Sequence, residues 1–117
     1  MYHQAETWLQ DALGPKAQFR PGQWQAIETL VYQRERVLVV QRTGWGKSLV
    51  YFLTTRLLRS QRQGFTLLVS PLLSLMRNQI EAASLWKLKA HTLNSTNSDE
   101  HPAIEAMLLA NDVDLLL

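Results

Sequence analysis

The residues best placed to do chemistry form the run Thr-Gly-Trp-Gly-Lys-Ser at positions 43–48, directly after an apolar, β-branched run at 37–40. An apolar pattern with helical spacing starts immediately afterwards, so the run lies between a predicted strand and a predicted helix. Its two glycines allow backbone N–H groups to turn toward an oxyanion without obstruction by a Cβ atom. Lys47 would reach the terminal phosphates of a nucleotide, and the Ser48 hydroxyl would be a ligand of Mg²⁺. This order of strand, glycine-rich loop and helix predicts a phosphate-binding loop.

One position departs from the longest form of this motif. The pattern G-x-x-x-x-G-K-[ST] begins with glycine, whereas this chain has Gln41. The shorter form Thr-Gly-x-Gly-Lys-Ser is usual in helicase-type ATPases. The alternative is a glycine-rich turn that happens to precede a lysine and a serine. The flanking strand and helix favour the phosphate loop.

Composition limits the class of protein. The chain has 117 residues, of which 46% are hydrophobic, and this suits one domain with a core. It has no cysteine, which excludes a disulfide framework, a thiolate zinc site and a cysteine nucleophile, and which fits a cytoplasmic protein. No apolar run is long enough to cross a bilayer and the N-terminus does not resemble a signal peptide, so we expect no membrane partner. A net charge of +2 permits a nucleic-acid partner without establishing one.

Segments with the apolar spacing of a helix alternate along the chain with apolar runs of strand length. Helical spacing over residues 2–13 ends at Gly14-Pro15, and a second helix is predicted to begin near Pro21. Apolar runs of strand length recur with helical segments between them, which requires parallel pairing. The predicted fold is therefore a three-layer α/β fold with a mainly parallel sheet. Its strands are expected near residues 37–41, 66–70, 89–93 and 113–117.

A polar pair precedes the phosphate loop in the segment Phe-Arg-Pro-Gly-Gln-x-x-x-Ile at 19–27. The amide of Gln23 offers one donor and one acceptor, which match the N6 and N7 edge of adenine. The alternative is a polar residue at the solvent-facing start of a helix. Spacing alone leaves both interpretations open.

Three further segments accompany the phosphate loop: the segment at 19–27, Val-Ser-Pro-Leu-Leu-Ser-Leu-Met-Arg-Asn-Gln at 69–79, and Leu-Asn-Ser-Thr at 93–96. In this order and spacing they resemble the opening motif, motif Ia and the next motif of the RecQ family of superfamily 2 DNA helicases. The resemblance covers about residues 14–117. It implies a P-loop domain of the RecA-like type that binds ATP, Mg²⁺ and single-stranded or partly duplex DNA.

The resemblance also implies residue roles. Arg20 and Gln23 would recognise adenine, and Lys47 would be the catalytic lysine. The implied nucleotide-binding residues are Arg20, Gln23, Thr43, Gly44, Trp45, Gly46, Lys47 and Ser48, with Ser48 on Mg²⁺. The implied DNA-binding residues are Ser70, Pro71, Ser74, Arg77, Asn94 and Ser95. The alternative for the segment at 69–79 is a helix whose apolar stripe serves packing alone.

Two positions depart from the family pattern. Many members carry an aromatic residue a few positions before Phe19 to stack on adenine, but this chain has Pro15-Lys-Ala-Gln18. Trp45 stands where the loop normally has a small residue. An indole folded into the phosphate cradle would block it, so we expect Trp45 to point outward and to pack against protein outside this chain.

The last residues, Asp-Val-Asp-Leu-Leu-Leu at 112–117, have the pattern of another buried strand. By resemblance, the Asp-Glu-x-His box that orders Mg²⁺ and activates water would follow Leu117. We therefore expect residues 1–117 to be the N-terminal part of the first motor domain of a 3′→5′ helicase, truncated at its C-terminus and without turnover of its own. Two alternatives are another P-loop enzyme, such as a small-molecule kinase, and a stand-alone nucleotide-binding or scaffold module.

Overall fold

The computed structural model describes residues 2–70 and 73–117. Within these ranges the chain alternates helices with short strands. The elements are α1 (Tyr2–Leu13), α2 (Gln23–Val31), α3 (Lys47–Ser60), β1 (Thr66–Leu67), α4 (Leu73–Leu85), β2 (Ala90–His91), a 3₁₀ turn (Ser98–Glu100), α5 (His101–Leu109) and β3 (Leu115–Leu116).

The sheet is parallel, as predicted, and has the order β1-β3-β2. Leu115 is in register with Thr66 on one side and with Ala90 on the other. Among the described strands, β3 comes last in the sequence and is the central strand of the sheet. The paired segments are two residues long, which is shorter than the runs predicted from apolar composition.

Side chains of β3 and its C-terminal neighbour contact helices on both faces of the sheet. Leu115 and Leu117 belong to the main core, together with residues of α1, α2, α3 and α4. Leu116 points the other way and packs with Ile104 and Val113 in a second cluster beside α5. Since successive strand residues face opposite sides, this alternation places helical layers on both faces. The predicted three-layer α/β fold is confirmed.

The predicted strand at 37–41 is wrong. Val37 and Val39 pack against the main core, whereas Leu38 is 88% and Val40 is 80% exposed. The backbone is therefore extended with alternating side chains, but among the described strands none pairs with it. The physical reason is that apolar alternation indicates an extended backbone, whereas a strand also needs a hydrogen-bonding neighbour, which no described strand provides here.

Helix α1 forms and ends as predicted. Ala5 and Leu9 are fully buried, and Gly14 closes the helix at φ +114° with its N–H donating to Gln10 O at 2.8 Å. The Arg56 guanidinium of α3 lies 4.1 Å from the centroid of the Trp8 ring. Burial lowers the pKa of Arg56, and the charge of Asp11 acts in the opposite direction. Trp8 thus helps to fasten α1 to the helix that carries the phosphate loop.

Arg59 connects the end of α3 to the chain entering β3. Its Nε donates to Asp114 Oδ1 at 2.7 Å, and its terminal nitrogens donate to Asn111 Oδ1 at 2.8 Å and to Asn111 O at 2.9 Å. The second oxygen of Asp114 accepts the Lys89 N–H at 2.8 Å. Both side chains of the ion pair are largely buried, so solvent screens the pair less than it screens an exposed one.

Replacing Arg59 with lysine should destabilise the fold. The variant Arg59→Lys keeps the charge but loses the planar set of donors, so we expect the free energy of unfolding to fall by about 2 kcal/mol. Denaturant unfolding of the chain measures this. Arg62→Lys, at an exposed position three residues further on, is the matched control and should change stability by less than about 0.5 kcal/mol. Equal losses in the two variants would contradict the role given to Arg59.

Candidate functional site

The phosphate loop has the backbone that its glycines predict. Gly44 adopts φ +90° and Gly46 adopts φ +98°, both in the left-handed region that favours glycine. Gly46 is the N-cap residue of α3, a helix of 14 residues, so the loop ends at a helix N-terminus. Lys47 begins the helix and is exposed, and Ser48 follows it half-buried. The loop thus combines left-handed glycines, a helix dipole, an ammonium group and a hydroxyl.

Hydrogen bonds join the phosphate loop to the turn before α2. The Gln23 amide donates to Trp45 O at 2.8 Å, and the Arg20 guanidinium donates to Gly44 O. The indole N–H of Trp45 donates back to Pro21 O at 3.1 Å. Because the C=O and N–H of a trans peptide point in opposite directions, the bond to Trp45 O leaves the Gly46 N–H directed away from Gln23.

Gln23 is engaged by the chain's own backbone and is 2% exposed. Its Oε1 accepts the Arg20 N–H at 2.8 Å, and besides Trp45 its Nε2 reaches Gly46 O at 3.4 Å. The amide edge predicted to read adenine is therefore already paired. Adenine recognition by Gln23 stays a prediction, and it requires the side chain to exchange at least one of these partners.

Trp45 packs inside this chain. Its side chain is 8% exposed, and a Cβ built on Gly22 would lie 3.4 Å from its ring. The prediction that it packs against protein outside this chain is wrong. The physical reason is that the turn before α2 offers both a glycine surface for the ring and the Pro21 carbonyl for its N–H.

A cavity of about 330 Å³ beside the loop brings together six of the eight predicted nucleotide-binding residues. They are Arg20, Gln23, Gly44, Trp45, Gly46 and Ser48. Thr43 and Lys47 are exposed and do not line it. The apolar wall comes from Leu13, Leu49, Phe52, Ala82, Leu85 and Trp86.

Sequence reasoning missed this apolar wall. Trp86, which is 3% exposed, follows the last residue of α4 and belongs to no motif. No local signal marks it, because only the packing of α4 against α3 brings it to the loop. The stretch around Lys16, where an aromatic is absent, contributes Ala17 and Gln18 to the cavity.

A second cleft, of about 550 Å³, lies between α4 and the loop after β2. It is lined by Leu73, Met76, Arg77, Ile80, Glu81, Thr92, Asn94 and Thr96. Two predicted DNA-binding residues, Arg77 and Asn94, therefore share one cleft.

The other predicted DNA-binding residues are distributed around this region. Ser95 is exposed beside Asn94, Ser70 follows β1, and Ser74 lies in α4. Pro71 is outside the described residues.

Asn94 organises its own loop. Its Oδ1 accepts the Thr96 N–H at 2.8 Å, while its Nδ2 donates to Thr92 Oγ1 at 3.1 Å. His101 Nε2 lies 2.8 Å from Asn94 O and 3.0 Å from Asn97 Oδ1. Both partners are acceptors, so this nitrogen carries the proton. The Asn-x-x-Asn spacing of Asn94 and Asn97 was the available signal for Asn97, and sequence reasoning did not use it.

One contact links the helix of the phosphate loop to the helix of the second cleft. The Tyr51 hydroxyl of α3 donates to Gln79 Oε1 of α4. Burial raises the pKa of the Tyr51 hydroxyl. The contact therefore joins α3 to α4 directly.

The residues at the loop fit a nucleotide with its magnesium ion. Left-handed glycines and an exposed lysine suit the phosphates, and the Ser48 hydroxyl is the kind of hard oxygen ligand that Mg²⁺ takes alongside phosphate oxygens and water. Within residues 2–70 and 73–117 no group of three or more His, Asp or Glu side chains could hold a metal without such help. None of the helices in these ranges is long and apolar enough to cross a membrane.

The fold and the loop together define an α/β domain of the P-loop class. The family model described as DEAD/DEAH box helicase matches residues 20–117. The chain therefore belongs to the DEAD/DEAH box helicase family.

Its relatives include RecQ helicases, which confirms the predicted resemblance. The ATP-dependent DNA helicase RecQ of Bacillus subtilis is 33% identical over 100 residues, 86% of this chain and 16% of that protein. The ATP-dependent DNA helicase Q-like 2 of Arabidopsis thaliana is 38% identical over 85 residues, 73% of this chain and 11% of that protein. The ATP-dependent helicase SGS1 of Saccharomyces cerevisiae is 37% identical over 82 residues, which are 70% of this chain and 6% of that protein. The chain thus spans about one sixth or less of these relatives.

Three glycine variants separate backbone strain from crowding at the loop. Gly46→Ala should be the most damaging, because φ is +98° and the new Cβ would lie 2.5 Å from Gln23 Nε2. Gly44→Ala carries only the strain of φ +90°, and Gly64→Ala meets neither obstacle. We expect Mg·ATP affinity, measured by calorimetry, to fall in that order, with Gly64→Ala equal to the parent chain. Equal affinities for Gly46→Ala and Gly64→Ala would contradict the close approach of the two loops.

Proposed function

We propose that this chain is the ATP-binding part of the first motor domain of a RecQ-type, ATP-dependent 3′→5′ DNA helicase. In the whole protein, ATP hydrolysis would drive translocation on single-stranded DNA and unwinding of duplex DNA. The observation that carries the proposal is the hydrogen-bonded union of the turn before α2 with the phosphate loop at the start of α3. In this proposal the turn before α2 receives the base, and the phosphate loop receives the phosphates.

In this proposal each predicted residue has a defined task. Thr43, Gly44 and Gly46 shape the loop so that backbone N–H groups can receive phosphate oxygens. Lys47 neutralises the terminal phosphates, which makes it the catalytic residue of this segment, and Ser48 supplies an oxygen to Mg²⁺. Bound Mg²⁺ would supply charge neutralisation between the phosphates.

The base would lie near Arg20 and Gln23. The cavity beside them is bounded by the Trp86 and Leu85 side chains, so burial of an aromatic base there is favourable. This apolar wall offers an explanation for the lack of an aromatic near Lys16.

The cleft between α4 and the loop after β2 is the proposed DNA site. Arg77 supplies a positive charge, and the loop of Asn94 and Ser95 supplies polar groups held in place by His101. The proposed contacts to single-stranded DNA near the start of α4 come from Ser70, Pro71 and Ser74. Such contacts go to phosphate and sugar and carry no sequence information. The Glu81 carboxylate at the same cleft opposes phosphate and would keep the affinity modest.

Residues 1–117 would then be the N-terminal part of this motor domain. The described residues offer no acidic pair at the loop to activate water, so we expect the isolated chain to bind nucleotide without hydrolysing it. Family membership favours this role over a small-molecule kinase. A chain without cysteine suits the cytoplasm, where we place the protein.

Lys47→Gln tests the nucleotide site. Removing the ammonium group should reduce Mg·ATP affinity at least about tenfold, because a charge-assisted contact with phosphate is lost. Calorimetry measures the binding, and a phosphate-release assay should show no turnover in either chain. The control is Lys87→Gln, another exposed lysine, which should bind as the parent does. A parent chain that binds no Mg·ATP would refute the site.

Arg77→Gln tests the DNA site. We expect weaker binding of a fluorescein-labelled oligothymidine in anisotropy titrations. The slope of log affinity against log salt should become shallower by about 0.7, the value for one phosphate contact on a single strand. Arg62→Gln, at another exposed arginine, is the control. A loss of affinity with an unchanged salt slope would mean that Arg77 does not contact phosphate.

A further inference from the structure

We propose that Trp45 is a positioning residue that makes the order of the phosphate loop depend on the base of the bound nucleotide. The inference rests on the proposed nucleotide site and adds a specificity-determining role to a residue whose indole is paired with the turn before α2. Through it, the chain would discriminate adenine nucleotides from ligands that carry phosphates alone.

The first step of the argument is that Trp45 is anchored twice to the same turn. Its backbone carbonyl accepts the Gln23 amide at 2.8 Å, and its indole N–H donates to Pro21 O at 3.1 Å. Pro21 and Gln23 are two positions apart in one tight turn, which a Gln23 N–H bond to Arg20 O closes at 3.0 Å. Both the backbone and the side chain of Trp45 are therefore bonded to the same four-residue turn.

The second step is that the attachment leaves little freedom. The indole covers Gly22 and is nearly buried, and a Cβ at Gly46 would lie 2.5 Å from Gln23 Nε2, so the amide would have to shift to admit it. A displacement of the turn must therefore move the Trp45–Gly46 peptide. That peptide carries the Gly46 N–H, one of the groups offered to a phosphate.

The third step concerns exchange of partners at Gln23. With its amide already paired, the side chain can bind the adenine edge only by releasing Trp45 O or the Arg20 N–H. When it does so, the indole bond to Pro21 keeps the loop docked on the turn. Guanine presents an acceptor where adenine presents its N6 donor, so it cannot make the same exchange.

The expected consequence is a split between ligands with and without a base. Trp45→Phe keeps an aromatic ring over Gly22 but removes the N–H that bonds Pro21. We expect its Mg·ATP affinity to fall about 3- to 10-fold, which is the effect of one net hydrogen bond. Its affinity for Mg·tripolyphosphate, which has no base, should stay within about twofold of the parent chain, and the preference for ATP over GTP should shrink.

Calorimetric titrations of the parent and Trp45→Phe with Mg·ATP, Mg·GTP and Mg·tripolyphosphate test this. Equal losses for ATP and tripolyphosphate would overturn the inference, because Trp45 would then merely shape the loop. Unchanged affinity for all three ligands would overturn it as well. A parent chain that binds neither ATP nor tripolyphosphate would instead refute the proposed function, so the two failures are distinguishable.

A measurement on the parent chain keeps the inference testable if the variant does not fold. The indole N–H of Trp45 gives its own nitrogen–proton NMR signal. That signal should shift with Mg·ATP and stay in place with Mg·tripolyphosphate at saturation. An identical shift with both ligands would show that the indole senses only the phosphates, and this would overturn the inference.

Discussion

The hydrogen bond from the Gln23 side chain to the Trp45 carbonyl is the contact on which the site depends. It joins the start of α2 to the start of α3 across a sequence separation of 22 residues, in a place from which water is almost excluded. An unmade hydrogen bond is costly in such surroundings, so separating the two loops would cost free energy. Glycine suits position 46 for two reasons, because its φ is positive and because a side chain there would occupy the space of the amide.

The sheet and the core around it hold the joined loops in place. Leu115 and Leu117 pack into the core shared by α1 to α4, and the bonds of Arg59 to Asn111 and Asp114 fasten the end of α3 to the entry of the central strand. The C-terminal end of α3 is therefore held against the entry of β3. The Tyr51 contact with Gln79 extends the same rigidity to α4, which carries one wall of the second cleft. Nucleotide loop and proposed DNA cleft are thus attached to one body through α3.

Much of this arrangement could be predicted because its signals are local. The helical spacing over residues 2–13 gave α1, and the glycines around Trp45 indicated left-handed backbone before α3. The extended segment at 37–41 was predicted to be a paired strand, since apolar alternation reports that a backbone is extended but not whether a neighbour is available. Trp86 and the partners of Trp45 could not be predicted, because they arise where segments distant in sequence pack together. A tryptophan in a glycine-rich loop indicated that the ring must leave the cradle, but it did not indicate the partner, because the ring and its N–H pack on the preceding turn.

The site is divided between a part that is satisfied internally and a part that is open. Gln23 and Trp45 are buried and paired within the chain, whereas Thr43, Gly44 and Lys47 are exposed to solvent. Charge on the open part can attract a phosphate chain without rearrangement, and it is screened by salt. The paired part gains nothing from a ligand unless the ligand replaces the hydrogen bonds that it displaces. In the proposed site, attraction and discrimination would therefore reside in different residues, and the peptide between Trp45 and Gly46 would connect them.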